Sequence, residues 1–325
     1  MRKLVLFSIF LAMVVIVLGA YTRLTDAGLG CPDWPGCYGH LSFSDTTKHI
    51  ETAQQAFPDR PFEEHKAWNE MIHRYFASGL GFVILIIFLN SLFKKSFNKP
   101  VKLPFFLVCL VCFQGALGMW TVTLNLLPIV VMGHLLGGFT VLSCLFLLYL
   151  RLTPYRIPGG DHRMRRFGRY STIGILILTA QIALGGWTSA NYAALACTEL
   201  PVCEGAWYEN LDIAGAFSIP HAENYEFGAH PYHERMTMHI MHRVGALITF
   251  LYLCWLGARL YAAASSRLIK NLSVLLILVL GLQVILGVSN VVFSLPVLVA
   301  VLHNAVAACL MLVLISINYT LYRKT

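Results

Sequence analysis

The sequence contains few charged residues. Asp, Glu, Lys and Arg make up only 12% of the 325 residues, whereas 57% are hydrophobic. A typical soluble domain carries roughly 25% charged residues, so this composition excludes an ordinary water-soluble protein. The composition instead indicates a polytopic membrane protein.

Apolar runs long enough to cross a bilayer occur eight times. A helix needs about 20 predominantly apolar residues to span the hydrocarbon core. The runs that meet this length lie near residues 4–22, 70–93, 103–123, 129–150, 171–192, 237–260, 272–293 and 297–319. The predicted fold class is therefore all-α integral membrane, with eight transmembrane helices.

Acidic residues are nearly absent from one side of this topology. With the N-terminus inside, 17 of the 24 Lys and Arg residues fall on the cytoplasmic side, and Asp161 is the single acidic residue there. Basic residues near helix ends are retained in the cytoplasm, so both termini are predicted to be cytoplasmic. The net charge of +8 then follows from topology, and no nucleic acid is needed as a partner. A bacterial inner membrane is favoured over an organelle, because no Arg-rich transit peptide precedes the first span.

The chain is predicted to contain two copies of one unit. LGAYTRLTDAGLGC (Leu18 to Cys31) aligns with LGGWTSANYAALAC (Leu184 to Cys197) at an offset of 166 residues. Further pairs match at an offset of 169: His73 with His242, Gln114 with Gln283, Gly118 with Gly287, and His134 with His303. Each unit has four helices, so both copies share one orientation in the membrane. The predicted organisation is an N-terminal four-helix bundle at 1–155, a cytoplasmic linker at 156–170 and a C-terminal four-helix bundle at 171–325.

The second helix and the fourth helix of each unit carry one recurring histidine near the outer surface. These residues are His73, His134, His242 and His303. An ionisable side chain inside a bilayer is costly and marks a functional site by default. A lone histidine can simply hydrogen-bond a neighbouring helix, but four in duplicate register favour two sites with two facing histidines each.

Two histidines per site suit a haem better than zinc. Zinc takes three or four nitrogen, sulfur or carboxylate ligands, whereas a haem iron takes four of its ligands from the porphyrin. A flat macrocycle also needs room, and a small residue follows each histidine by four positions, on the same helix face. These residues are Ala77, Gly138, Ala246 and Ala307. Small residues favour bare helix packing as well, so they do not decide the question alone.

The two copies differ at one informative position. Glu70 lies one turn before His73, whereas the matching residue in the second copy is His239. A carboxylate at one site only suggests that this site does chemistry and that the other holds a fixed, electron-carrying haem. Arg74 and Arg243 follow two of the histidines directly. Each is a candidate contact for a haem propionate, or an anchor for its helix at the interface.

Together these motifs resemble one known family. The segment YTRLTDAGLGCPDWPGC, the ExxHR motif from Glu70 to Arg74, MGHLLGG and VLHN are similar to the haem A synthase family. The resemblance covers all eight helices. It implies a membrane monooxygenase that oxidises a methyl group of haem O to a formyl group through successive hydroxylations, giving haem A for a terminal oxidase.

The resemblance also implies roles for the histidines and the partners. His242 and His303 would ligate the iron of a resident haem b, while His73 and His134, with Arg74 nearby, would face the substrate haem O. Haem O synthase would donate the substrate within the lipid bilayer. The electron donor is left open, and an oligomer is compatible with the sequence.

Glu70 would be the catalytic residue, either by relaying protons or by stabilising positive charge at the methyl carbon. The alternative function is a di-haem b-type cytochrome that only transfers electrons. Such a protein would use the same four histidines and would not need Glu70. A repeat-built transporter is a second rival, but it predicts broken helices and a polar site at the midplane, whereas Pro128 and Pro296 fall at loops.

Two cysteine pairs lie in the outer loops. Cys31 and Cys37 fall on the oxidising side, where a disulfide is permitted, and the family places a cysteine pair in this loop. Cys197 and Cys203 repeat the arrangement. Each pair is predicted to form a disulfide that either staples its loop over a haem or relays electrons.

Three glutamines lie inside the predicted helices: Gln114, Gln181 and Gln283. Gln114 and Gln283 recur at the offset of 169 residues. Their predicted role is hydrogen bonding between helices, because polar side chains in a membrane seek partners on neighbouring helices.

Overall fold

Eight long helices form the protein. The computed structural model describes residues 1–41, 55–58, 60–93, 100–153 and 162–323, and these ranges contain no β-strand. All eight helices are long and apolar enough to cross a membrane, which confirms the predicted fold class. Their bounds are α1 Arg2–Leu24, α2 Glu64–Phe93, α3 Lys102–Thr123, α4 Pro128–Leu152, α5 Gly168–Ala190, α6 Tyr232–Ala263, α7 Arg267–Val292 and α8 Val297–Tyr322.

Two helices begin earlier than their apolar runs predict. α2 begins at Glu64 instead of residue 70, and α6 begins at Tyr232 instead of residue 237. An apolar run stops where charged side chains begin at the membrane surface. The backbone hydrogen bonds of a helix do not depend on apolar side chains, so the helix continues beyond that point. Glu70 and His239 therefore lie within regular helix, which fixes the directions of their side chains.

Each group of four helices packs as a closed ring. α1 contacts α2 and α4, and α3 contacts the same two helices; α5, α6, α7 and α8 repeat this pattern. The two groups meet where α1 packs on α8 and where α4 packs on α5 and α8. Leu145, Leu253 and Leu314 are completely buried in the core. The duplication itself stays a prediction.

Polar contacts between the two groups join positions that the offset of 166 residues pairs with each other. Arg23 on α1 donates to the carbonyl oxygen of Ser189 on α5 at 2.6 Å. The Arg23 guanidinium also lies 3.9 Å from the centre of the Tyr192 ring, a cation–π contact. The Tyr192 hydroxyl donates to Asp26 Oδ1 at 3.1 Å. The C-terminal ends of α1 and α5 are thus held together by side chains of both groups.

Reporter fusions test the predicted orientation. A phosphatase that is active only outside the cytoplasm is expected to be inactive when fused after Arg323, since the basic residues retain this end inside. The same enzyme fused after Gly205, between α5 and α6, is expected to be active. A fluorescent protein that folds only in the cytoplasm, fused at the same two positions, is the reciprocal control. Active phosphatase after Arg323 would contradict the orientation.

Candidate functional site

The four recurring histidines form two pairs. His73 on α2 and His134 on α4 have their ring centroids 6.3 Å apart, with the planes at 80°. Imidazole nitrogens bind metals at about 2 Å, so this spacing leaves room for a metal atom between the rings. His242 on α6 and His303 on α8 lie near enough to interact electrostatically. The predicted pairing of the histidines therefore agrees with their positions.

Several ring nitrogens in these pairs are buried without a hydrogen-bond partner. They are Nδ1 of His73, of His134 and of His303. Buried polar atoms in proteins are normally hydrogen-bonded, and each exception calls for an explanation. Rings arranged around a bound group are one such explanation.

Each histidine ring packs against a glycine of a neighbouring helix. The four contacts are Gly19 with His73, Gly118 with His134, Gly185 with His242, and Gly287 with His303. A Cβ atom would lie 2.9 Å from the ring at Gly19, 3.0 Å at Gly185 and 3.1 Å at Gly287, so a side chain at these three would push the imidazole aside, and 3.4 Å from it at Gly118. The sequence analysis did not assign these glycines a function, although their recurrence at the two offsets was the signal that could have identified them.

The space around the pairs fits a haem better than a bare metal ion. A Cβ atom at Gly133 or at Gly138 on α4 would meet no atom within 4 Å, so both positions border open space. Among the described residues, the one cluster of three metal-ligating side chains is Asp212, His233 and Glu234, which contains none of the four histidines. Each pair thus offers two ligands, the number that a porphyrin-bound iron requires.

Glutamines contact the histidines of the second pair. Gln181 on α5 has its Nε2 atom 3.0 Å from His242 Nδ1, and the same atom donates to the His242 carbonyl oxygen at 3.0 Å. Gln283 on α7 has its Nε2 atom 3.2 Å from His303 Nε2. The predicted hydrogen bonding between helices is therefore confirmed for these two glutamines, and their partners are the site histidines.

Glu70 is buried on α2 beneath the first disulfide loop, with 5% of its surface exposed. Its Oε2 atom accepts the Cys31 backbone N–H at 2.9 Å, and its Oε1 atom accepts from Arg74 Nη2 at 2.5 Å. A buried carboxylate is costly unless it is paired and hydrogen-bonded, and both oxygens of Glu70 have such partners. In the other half the matching His239 is also buried, and its Nδ1 atom has no hydrogen-bond partner.

Arg74 and Arg243 hold the outer loops in place. Arg74 donates to the Asp33 carbonyl oxygen at 3.0 Å, and Arg243 donates to the carbonyl oxygen of Glu199, the matching position, at 2.7 Å. Each arginine follows a site histidine directly, so one helix carries the histidine and also holds the loop in place. The sequence analysis missed this role because the acceptors are backbone oxygens. Contact with a haem propionate stays a prediction for both arginines.

Both cysteine pairs are bonded. The Cα atoms of Cys31 and Cys37 are 4.8 Å apart, and those of Cys197 and Cys203 are 4.9 Å apart. All four residues are buried. The first bridge lies directly over Glu70, because Cys31 supplies the N–H that this carboxylate accepts. Whether the bridges staple the loops or relay electrons stays a prediction.

A charged side chain supports the second disulfide loop. The Glu204 carboxylate accepts hydrogen bonds from the Thr198 hydroxyl, the Thr198 N–H and the Glu199 N–H. The bond from the Thr198 hydroxyl contributes most to lowering the pKa of Glu204 to about 2. Because this pKa is depressed, the carboxylate stays ionised at neutral pH, and its support for the loop is lost only as the pH falls through about 2.

The fold and the site define a class of protein: a multi-pass membrane protein whose helices present two pairs of histidines beneath disulfide-closed loops. The chain belongs to the COX15-CtaA family of cytochrome oxidase assembly proteins, whose pattern matches residues 2–315.

Relatives from several bacteria are similar to this chain over nearly its full length. The haem A synthase of Shewanella oneidensis is 52% identical over 320 residues, covering 98% of this chain and 96% of that protein. The haem A synthase of Nitrosospira multiformis is 26% identical, covering 97% and 91%. That of Rickettsia prowazekii is 25% identical, covering 95% and 94%.

The glycine contacts predict which substitutions remove bound haem. Gly287→Val is expected to yield purified protein with little haem, because a side chain there displaces the His303 ring. Gly281→Val on the same helix is the matched control, since a Cβ atom at Gly281 meets nothing within 4 Å. The haem-to-protein ratio from absorbance is the measurement. Equal haem content in the two variants would contradict this role for Gly287.

Thiol labelling tests the two bridges. Five of the nine cysteines are free, namely Cys109, Cys112, Cys144, Cys254 and Cys309. Denatured protein from isolated membranes is therefore expected to take up five alkyl groups without reductant and nine after reduction, as counted by mass spectrometry. Labelling of Cys31 or Cys197 before reduction would show that the bridge is absent in the cell.

Proposed function

We propose that this protein is a haem A synthase, which oxidises a methyl group of haem O to a formyl group. The observation that carries this proposal is the buried Glu70 carboxylate, held one turn before His73 in one half only. An electron-transfer cytochrome has no need of that carboxylate. The likeness to the Shewanella oneidensis enzyme over nearly the whole chain supports the same reaction.

The two histidine pairs have different roles in this proposal. His242 and His303 hold a resident haem b, and His73 and His134 bind the substrate haem O through its iron. A resident haem supplies one-electron transfer when it is bound. The glycines behind the rings hold the imidazoles in position, so little reorganisation is needed when a haem binds.

Glu70 acts on the substrate through fixed negative charge. The Cys31 N–H and the Arg74 guanidinium hold its two oxygens, so the carboxylate keeps its position as positive charge develops at the methyl carbon. Electrostatic stabilisation by such a preorganised group is worth more in a site that excludes water. Each carboxylate oxygen keeps a further lone pair, so the same contacts also permit Glu70 to relay a proton.

The surrounding residues shield the reaction. The apolar helices and the disulfide loop held by Arg74 limit the access of water to the first pair. Two successive two-electron oxidations of one methyl group, each driven by an oxidant from outside the protein, add two hydroxyl groups and give a geminal diol, which loses one water molecule to leave the aldehyde. Haem O synthase would deliver the substrate within a bacterial cytoplasmic membrane, and the haem A formed would pass to a terminal oxidase.

Chromatography of extracted haems tests the proposal. The protein is expressed with and without a haem O synthase, purified, and its haems are extracted and separated. Haem A is expected only when the synthase is present, since haem O is the substrate. Haem b alone, at two per chain under both conditions, would instead identify an electron-transfer cytochrome.

A pair of variants separates the role of Glu70 from general stability. Glu70→Gln is expected to retain haem b and to form little or no haem A, because the negative charge is lost while the shape of the side chain is kept. Glu209→Gln removes an exposed carboxylate of the outer loop and is expected to behave as wild type. Wild-type formation of haem A in Glu70→Gln would remove Glu70 from the mechanism.

A further inference from the structure

The two histidine pairs differ in what holds their rings. Gln181 on α5 and Val15 on α1 match at the offset of 166 residues. The Gln181 amide lies 3.0 Å from His242 Nδ1 and also donates to the His242 carbonyl oxygen. At the matching place in the first half, Val15 offers His73 only its backbone, and no side chain bonds His73 Nδ1.

A glycine makes room for the Gln181 side chain. A Cβ atom at Gly245 on α6 would collide with Gln181 Oε1, so the amide rests directly on the bare backbone of that residue. The residue that matches Gly245 in the first half, at the offset of 169, is Phe76. The first half therefore has neither the amide nor the glycine that receives it.

The glutamine beside the second histidine also differs between the halves, although Gln283 contacts His303 at Nε2 and leaves its Nδ1 without a partner. In the first half a Cβ atom at Gly137 would overlap the Gln114 amide, so this amide rests on the backbone of α4, and its Nε2 atom has no hydrogen-bond partner. Val306 occupies the position that matches Gly137. In the second half the Gln283 amide lies 3.2 Å from a His303 ring nitrogen instead.

An amide on the ring nitrogen that does not bind metal has a known physical effect. Hydrogen bonds to that nitrogen fix the orientation and the tautomer of a metal-ligating histidine, and their loss typically weakens metal binding about 10-fold to 100-fold. The Gln181 amide contacts the His242 ring at Nδ1, so the other ring nitrogen has no contact with it. His242 Nε2 is then the nitrogen left for iron.

We infer that Gln181, resting on Gly245, is a positioning residue that makes the C-terminal site retain its haem. The matching residue of the N-terminal half is Val15, which has no amide, and this difference lets the N-terminal site release a haem. The inference rests on the proposed function, which requires one site to keep its haem and the other to exchange substrate for product. The His242 ring has a side-chain amide that holds it when haem is absent, whereas the His73 ring has none.

Haem release measures the effect of Gln181 directly. Gln181→Met keeps the length of the side chain and removes its hydrogen bonds, so transfer of haem b from the purified protein to excess haem-free myoglobin is expected to be roughly 10-fold faster. The reduction potential of haem b is expected to shift as well, which a loss of packing elsewhere would not produce. Thr179→Val is the matched control on α5, because the Thr179 hydroxyl bonds only to its own helix at an exposed position.

A second variant distinguishes the loss of the Gln181 contact from a folding defect in Gln181→Met. Gly245→Ala keeps the glutamine and displaces its amide, so it is expected to accelerate haem release in the same way, with Gly281→Ala as its control. Wild-type release rates in either variant would overturn the inference.

A double variant introduces the glutamine and the glycine that receives it into the N-terminal half. Val15→Gln combined with Phe76→Gly is expected to retain a second haem per chain through purification and to slow the release of product. Unchanged haem stoichiometry in this double variant would overturn the inference. These outcomes are distinct from failure of the proposed function, which would appear as wild-type protein that never forms haem A.

Discussion

The contact of a glycine with an imidazole ring on the next helix is the interaction on which this structure depends. An imidazole inside an apolar bundle needs both space and partners, and only a residue without a side chain lets a neighbouring backbone approach the ring so closely. Each of the four contacts joins one pair of consecutive helices: α1 with α2, α3 with α4, α5 with α6, and α7 with α8. The same contacts that bring the helices together therefore aim the rings into the space between them.

The disulfide-closed loops and the site histidines are held by the same two helices, and they form one structural unit. Arg74 and Arg243 each lie one residue after a site histidine and bind backbone carbonyl groups of a disulfide-closed loop. In the first half, Glu70 connects this unit to the site, because its carboxylate is shared between Arg74 and the Cys31 N–H. A buried ion pair is weak evidence for stability, but its fixed geometry suits the charge stabilisation proposed for Glu70.

The features that depend on composition and recurrence could be predicted from the sequence, and those that depend on backbone atoms could not. Apolar runs gave the eight helices, and matched histidines gave the two sites. The early start of α2 was missed because helix formation does not require apolar residues. The role of Arg74 was missed because its acceptors are carbonyl groups, which every residue carries. The contact between Gln181 and His242 needed the structure, since only helix packing shows which ring a glutamine reaches.

The polar contacts between the two groups of helices have a consequence for the joining of both halves in one polypeptide. Arg23 contacts Ser189, and Asp26 contacts Tyr192, so each position meets its own counterpart across the seam. In a symmetric dimer of identical chains, residues at such places face copies of themselves. An arginine would then oppose an arginine, and an aspartate an aspartate, with like charges repelling. A single chain escapes this restriction, because it can place unlike and mutually attractive groups on the two sides of the axis, and it can likewise let one histidine pair diverge from the other.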